Sequence, residues 1–276
     1  MDSQALTPTL LGVPFDGASS YQRGAAEAPP VIRATLNWPS SNTWTEDGLD
    51  TAAPGILEDA GDLDLPADAP AAAVLEPITA GVRRLLREGR RPLVLGGDHS
   101  VTYPVLRAMR EQYPQLAVLH FDAHGDLYHD YEGDRLSHAC PFARVMEDRL
   151  ADRLVQVGIR TLNRHQWDQA AKYGVDVLDM RRWNGPPRLR FSQPVYISLD
   201  LDVLDPAFIA GISHPEPGGL SVRDVLATIQ QLEGRIVGAD VVELNPANDP
   251  SPRSRLVAAK FVKELVAAMH RSTSSS

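Results

Sequence analysis

Leu116-Ala117-Val118-Leu119-His120-Phe121-Asp122-Ala123-His124-Gly125-Asp126 is the stretch on which the fold turns. It begins as an apolar run of strand length and ends with a potential ligand at every other position. In extended backbone, side chains two apart leave the same face. Asp122, His124 and Asp126 therefore converge just beyond the end of a buried strand. Carboxylates with an imidazole suit a hard or borderline divalent ion, Mn²⁺ ahead of Zn²⁺ or Fe²⁺ where carboxylates dominate. One such triplet also describes an acidic loop with an incidental histidine. The neighbouring sequence has to decide.

Two further stretches repeat the pattern. Pro92-Leu93-Val94-Leu95 runs into Gly96-Gly97-Asp98-His99-Ser100, and Pro194-Val195-Tyr196-Ile197 runs into Ser198-Leu199-Asp200-Leu201-Asp202-Val203-Leu204-Asp205-Pro206. Open α/β sheets gather ligands in the crevice outside the carboxyl ends of their strands. The candidates His99, Asp122, His124, Asp126, Asp200 and Asp202 then share one cleft. They are too many for one tetrahedral ion and suit two ions sharing carboxylates, about 3.5–4 Å apart.

Outward from these loops, short apolar runs alternate with helical spacing. Strands are expected at Thr9–Val13, Gly55–Glu58, Pro92–Leu95, Leu116–Phe121, Leu154–Val157, Val175–Leu178, Val195–Leu199 and Ile236–Val242, with residues 61–64 as a loop. Helices are expected at Pro29–Leu36, Ala71–Glu88, Val101–Gln112, Pro141–Leu150, Asn163–Tyr173, Val222–Leu232 and Pro252–His270, with Ser100 and Ser221 as caps. The alternation predicts an α/β fold: a three-layer α/β/α sandwich around a central, mostly parallel sheet of about eight strands. No linker interrupts it, so residues 1–276 read as a single domain. The last strand delivers Glu243 to the same edge as the ligand loops.

Composition narrows the function. With 276 residues and 43% of them hydrophobic, the chain can bury a large core. It has no apolar run long enough for a membrane span and no leader pattern at the N-terminus. The one cysteine, Cys140, excludes an intramolecular disulfide and fits a reducing, cytoplasmic location. A net charge of −9 without a Lys/Arg block argues against nucleic acid and suits a cationic or neutral small substrate. The ligand loops also lack the basic residues a phosphoesterase needs; Arg135 and Arg144 are nearest, and both are expected to face solvent. His129 and His214 are placed near the mouth, His165 and His270 on solvated helix surfaces, and Cys140 in packing.

With these residues in place, the sequence resembles the ureohydrolases, the family of arginase, agmatinase and formiminoglutamase. The motifs G-G-D-H-S (96–100), D-A-H-x-D (122–126), S-H-x-x-P-F (137–142), S-x-D-x-D-x-x-D-P (198–206) and E-x-N-P (243–246) occur in the family's order. Val13-Pro14-Phe15-Asp16, Gly61-Asp62 and Pro215-Glu216-Pro217-Gly218-Gly219 extend the likeness across nearly the whole chain. The resemblance implies two Mn²⁺ per chain, one held by His99, Asp122, Asp126 and Asp200, the other by Asp122, His124, Asp200 and Asp202. It also implies catalytic roles for His138 as proton shuttle, for Glu243 as partner of the substrate guanidinium, and for Asp126. A homotrimer or homohexamer is implied as well.

Hydrolysis of a guanidino C–N bond with release of urea is the activity this implies. A guanidinium is a poor electrophile and water a poor nucleophile; a bound metal brings the pKa of water from 15.7 to about 7. Two residues after Asp126, Tyr128 replaces the Asn with which arginase-like members help bind an α-carboxylate. Residues 130–140 also look like the agmatinase branch. Agmatine, cleaved to putrescine and urea in polyamine biosynthesis, is thus the expected substrate. Many agmatinases read G-T-G-T-P-E-P-G-G where this chain has Gly211-Ile212-Ser213-His214-Pro215-Glu216-Pro217-Gly218-Gly219, which keeps guanidinobutyrate, arginine and formiminoglutamate in view. A non-catalytic metal-binding paralogue is the reading from another class.

Overall fold

The computed structural model describes residues 6–66 and 68–272. Eight strands form one sheet: β1 (Thr7–Val13), β2 (Glu58–Asp62), β3 (Arg90–Gly96), β4 (Ala117–Phe121), β5 (Arg153–Ile159), β6 (Asp176–Asp179), β7 (Val195–Asp200) and β8 (Ile236–Val242). Their order is β2-β1-β3-β8-β7-β4-β5-β6, and every adjacent pair is parallel. The helices are α1 (Ala28–Leu36), α2 (Ala71–Arg87), α3 (Thr102–Gln112), α4 (Pro141–Glu147), α5 (Arg164–Tyr173), α6 (Val222–Gln230) and α7 (Arg253–Arg271).

The apolar strands follow from burial on both faces, the condition under which parallel sheets form. Successive residues point to opposite sides. Leu10, Leu93, Leu119 and Ile197 pack with Ile32 of α1, Leu226 of α6 and Phe261 of α7. Their neighbours Leu11, Val94, Val118 and Tyr196 pack with Ile78 of α2, Val105 of α3, Val145 of α4 and Ala170 of α5. These are the three expected layers. Among the described residues, no helix is long and apolar enough to cross a membrane.

The edges and caps differ from expectation. Strand β2 starts at Glu58, where a strand was expected to end, and runs through Gly61 and Asp62. Apolar patterning could not find it, because its residues are mostly polar and exposed. Its acids are met by basic neighbours: Arg33 Nε lies 2.9 Å from Asp59 Oδ2, and Arg90 Nη1 lies 3.0 Å from Glu58 Oε2. Charge on an edge strand opposes pairing with another chain. Helix α3 starts at Thr102 without the expected Ser100 cap or any other side-chain cap; the short 3₁₀ turn before it is capped by Asp98, whose Oδ1 accepts the Ser100 N–H at 3.1 Å. Ser221 does cap α6, in a reciprocal capping box with Asp224.

The four central strands, β3-β8-β7-β4, are adjacent and end on one edge of the sheet. Each leads into one of the expected site loops. The turn after β3 needs glycine at Gly97, where a Cβ would lie 1.8 Å from the Phe15 carbonyl oxygen. That close approach lets the Asp98 N–H donate to the same carbonyl at 2.9 Å.

Candidate metal centre

All six expected ligands meet at this edge. Asp122 and Asp200 each lie one residue beyond the register pair Phe121–Leu199 of β4 and β7, which makes them neighbours. His99 Nδ1 lies 3.3 Å from Asp122 Oδ2, 3.1 Å from Asp126 Oδ2 and 3.1 Å from Asp200 Oδ2. His124 Nδ1 lies 3.3 Å from Asp122 Oδ1 and 2.9 Å from Asp202 Oδ2. Asp122 thus faces both imidazoles. These gaps match the spacing of about 3 Å between octahedral ligands held about 2.1 Å from one ion.

The His99 tautomer fits the same picture. Its Nε2 lies 3.0 Å from Ser198 Oγ, which donates onward to Asp240 Oδ1 at 2.7 Å. The ring proton then belongs on Nε2, and the Nδ1 lone pair points among three carboxylates. Nδ1 is buried and has no hydrogen-bond partner. A buried polar atom in that state calls for a cation.

His120 also lies within ligand distance of His99, Asp122 and Asp126. It is nevertheless committed elsewhere. Its Nε2 lies 2.8 Å from Asp122 Oδ2, its Nδ1 accepts from Gln156 Nε2 at 3.0 Å, and its ring stacks on Phe142. We read it as the group that orients Asp122.

Crowding sets the electrostatics. Burial, and then the charges of Asp202 and Asp122, hold the Asp200 carboxyl well above the usual range. Burial and Asp122 push Asp202 up to about 6. Burial alone would lower His99 and His124, but the carboxylates hold both imidazoles well above their ordinary value. Acids that cannot all ionise together, with imidazoles drawn to a proton, mark a pocket built for positive charge. Backbone strain collects here too. Asp126 (φ 51°) and Glu243 (φ 64°) are two of the four described non-glycine residues with positive φ.

Glu243 and His138 face the cluster as a pair. His138 Nδ1 lies 3.0 Å from Glu243 Oε1, which also accepts the His99 N–H at 2.8 Å. Burial works against the imidazolium, but the Glu243 hydrogen bond and charge prevail and raise His138 to about 9. Ser20 Oγ lies 2.8 Å from His138 Nε2. The cleft has a volume of about 290 Å³, and Tyr128, Thr161, His214 and Glu216 help line it.

Sequence reasoning missed several supports. Asp98 Oδ2 accepts the Ala18 N–H at 2.9 Å and so fixes the loop that carries Ser20. The Arg160 guanidinium donates to the carbonyls of Asp202 (2.8 Å) and Glu216 (2.7 Å), tying a ligand loop to the mouth. Asp240 and Gln156 were legible in principle, as lone polar residues inside apolar runs. Arg144, expected in solvent, is buried: it donates to the His129 carbonyl at 2.7 Å and pairs with Glu147. His129 joins Arg135 and Glu147 rather than the cleft. His270, expected in solvent, bonds the Ile56 carbonyl at 2.9 Å. Cys140 is packed as expected; burial, with the charge of Asp126, pushes its thiol up to about 12.

Comparison with known proteins gives a consistent picture. The arginase family model matches residues 7–268. The mitochondrial arginase of Medicago truncatula is 44% identical over 97% of this chain and 83% of its own length. The agmatinase of Halalkalibacterium halodurans is 34% identical over 93% of this chain and 90% of its own. The solved arginase from Medicago truncatula superposes with a TM-score of 0.91, covering 96% of this chain and 88% of that one.

Proposed function

This chain belongs to the arginase family, and on that premise we propose that it hydrolyses the guanidino C–N bond of L-arginine with release of urea. The observation that carries the hydrolytic reading is the convergence of six ligand side chains beneath a Glu243–His138 pair. His99, Asp122, Asp126 and Asp200 are assigned to one Mn²⁺, and Asp122, His124, Asp200 and Asp202 to the other. Bound there, the ions supply Lewis acidity and lower the pKa of water. Manganese is assigned because carboxylates outnumber imidazoles.

The chain's own groups do the rest. Glu243 has one oxygen committed to His99 and His138, and its other oxygen accepts a guanidinium N–H. His138, held by Glu243 and Ser20, delivers a proton to the leaving amine. Asp126, 3.1 Å from His99 Nδ1 and held in a left-handed backbone conformation (φ 51°), lines the same cleft as His138.

Arginine is placed ahead of agmatine because the identity to arginases exceeds that to agmatinases. This ordering runs against the weight that the sequence reading gave to Tyr128. Agmatine stays as the second reading because Tyr128 lines the cleft and, among the described residues, no Lys or Arg does. In the arginine reading, neutral donors such as Ser20 and Thr161 hold the α-carboxylate. Urea release from a panel of guanidino compounds by the Mn²⁺-loaded protein tests this. We expect arginine to lead by about tenfold in kcat/KM; a lead for agmatine restores the first reading, and urea from none removes the activity. The homotrimer or homohexamer and the cytoplasmic location belong to the same proposal, with light scattering and cell fractionation as their tests.

A further inference from the structure

A second constellation stands at the mouth of the cleft. Glu243 ends β8, His138 precedes α4, and His214 comes from the 211–219 loop. One ligand atom from each lies within 4.8 Å of the other two. The two imidazole rings are 4.8 Å apart, centre to centre, and tilted by 44°. Ser20 Oγ sits between them, 2.8 Å from His138 Nε2 and 3.5 Å from His214 Nε2. Both hydrogen bonds to Glu243 fall on Oε1, which leaves Oε2 without a partner among the described residues.

We propose that His138, His214 and Glu243 form a third cation site, which takes a borderline transition ion such as Zn²⁺ and shuts out the substrate guanidinium. The exclusion rests on the reading of Glu243 as the guanidinium's partner; binding of the ion does not.

Ligand chemistry separates this site from the other two. Two imidazoles and one carboxylate, with a fourth position open to water, form a familiar zinc set. Imidazole suits later transition metals, whereas carboxylate-rich sites suit Mn²⁺. The charge balance agrees. The aspartates Asp122, Asp126, Asp200 and Asp202 offset two divalent ions, and Glu243 is left facing His138 at 3.0 Å, so an ion held here takes the place of the His138 proton. An ion held there occupies the oxygen that the guanidinium needs, so the two cations exclude each other.

Zn²⁺ is titrated into the Mn²⁺-loaded protein by equilibrium dialysis with elemental analysis, in wild type and in His214→Asn. The wild type should gain one Zn²⁺ per chain while keeping its Mn²⁺, and His214→Asn should bind that ion at least about tenfold more weakly. In turnover, Zn²⁺ should inhibit competitively with the guanidino substrate, and the inhibition constant should rise by the same factor in the variant. Zn²⁺ that replaces Mn²⁺ one for one, or binds both proteins alike, overturns the site. Protein that binds Zn²⁺ as described but releases no urea keeps the site and removes the hydrolytic reading. If the variant fails to hold Mn²⁺, protection of wild-type His214 from diethyl pyrocarbonate decides: protection by Zn²⁺ supports the site, and unchanged labelling overturns it.

Discussion

Glu243 and His138 form one unit whose members differ in what they risk. Glu243→Gln keeps the shape but removes the charge that meets a guanidinium. Turnover should fall by at least about a hundredfold, as for lost transition-state stabilisation of about 2.7 kcal/mol or more. Metal content should stay near two ions per chain, since Glu243 is not among the assigned ligands. Near-normal kcat would remove it from the mechanism. His138 carries a pH signature that needs no substrate. Its folded-state pKa, about 9, lies above the usual 6.5. The stability this adds is fully present below pH 6.5 and is lost as pH rises through 9. In metal-free protein, wild type should therefore lose about 2–3 kcal/mol more than His138→Gln between pH 6.5 and 9.5. Parallel unfolding curves across that range would contradict the Glu243 contact. The ligands and Glu243 were legible as residue types just beyond strand ends, and His138 through the S-H-x-x-P-F motif of the family resemblance. Arg144 and Arg160 were not, because their burial depends on carbonyl groups that only the folded loops bring together.

At the scale of elements, one row of polar residues runs through the centre of the sheet. Gln156 of β5, His120 of β4, Ser198 of β7 and Asp240 of β8 are register partners on successive strands. The row lies beneath the ligands: Gln156 and His120 set Asp122, while Asp240 and Ser198 set His99. Asp240 also accepts from Tyr196 and Thr102, both at 2.9 Å. Asp240→Asn should lower apparent Mn²⁺ affinity about 10–100-fold, the usual cost of losing a ligand's hydrogen-bonded partner. Circular dichroism should show the fold kept, and an unchanged Mn²⁺ activation curve would deny the row this role. Strand count, helix order and the parallel sheet were legible because apolar runs betray strands buried on both faces. The register was not, since it is fixed by which strands become neighbours. β2 was expected at Gly55–Glu58 and lies at Glu58–Asp62 for the opposite reason: an acidic edge strand carries no apolar signal to fix its bounds.

For the whole molecule, the cleft is a store of repulsion that bound cations relieve. Asp98, Asp122, Asp126, Asp200, Asp202 and Glu243 are all buried at one edge of the sheet, with Asp240 buried beneath them in β8. Burial and the charge of Glu243 push Asp98 up to about 6, and burial raises Asp240. Ions that bind the folded chain and not the unfolded one add stability of about 4 kcal/mol at a thousand times their dissociation constant. For a chain of this size that corresponds to a rise in thermal midpoint of roughly 8–16 °C. Exhaustive chelation should lower the midpoint by that amount, and Mn²⁺ should restore it in a concentration-dependent way. The same treatment of Asp122→Asn, which removes the carboxylate shared by both assigned ions, should move the midpoint far less. The variant's metal-free form should itself be less stable than metal-free wild type at neutral pH: burial works against the Asp122 carboxylate, but the hydrogen bonds and charge of His120, with His124 and His99, hold it well below the usual range, and the variant loses that support. An equal midpoint shift in variant and wild type would mean that the stabilising ions bind elsewhere, and that the convergence of these side chains is not what cations hold together.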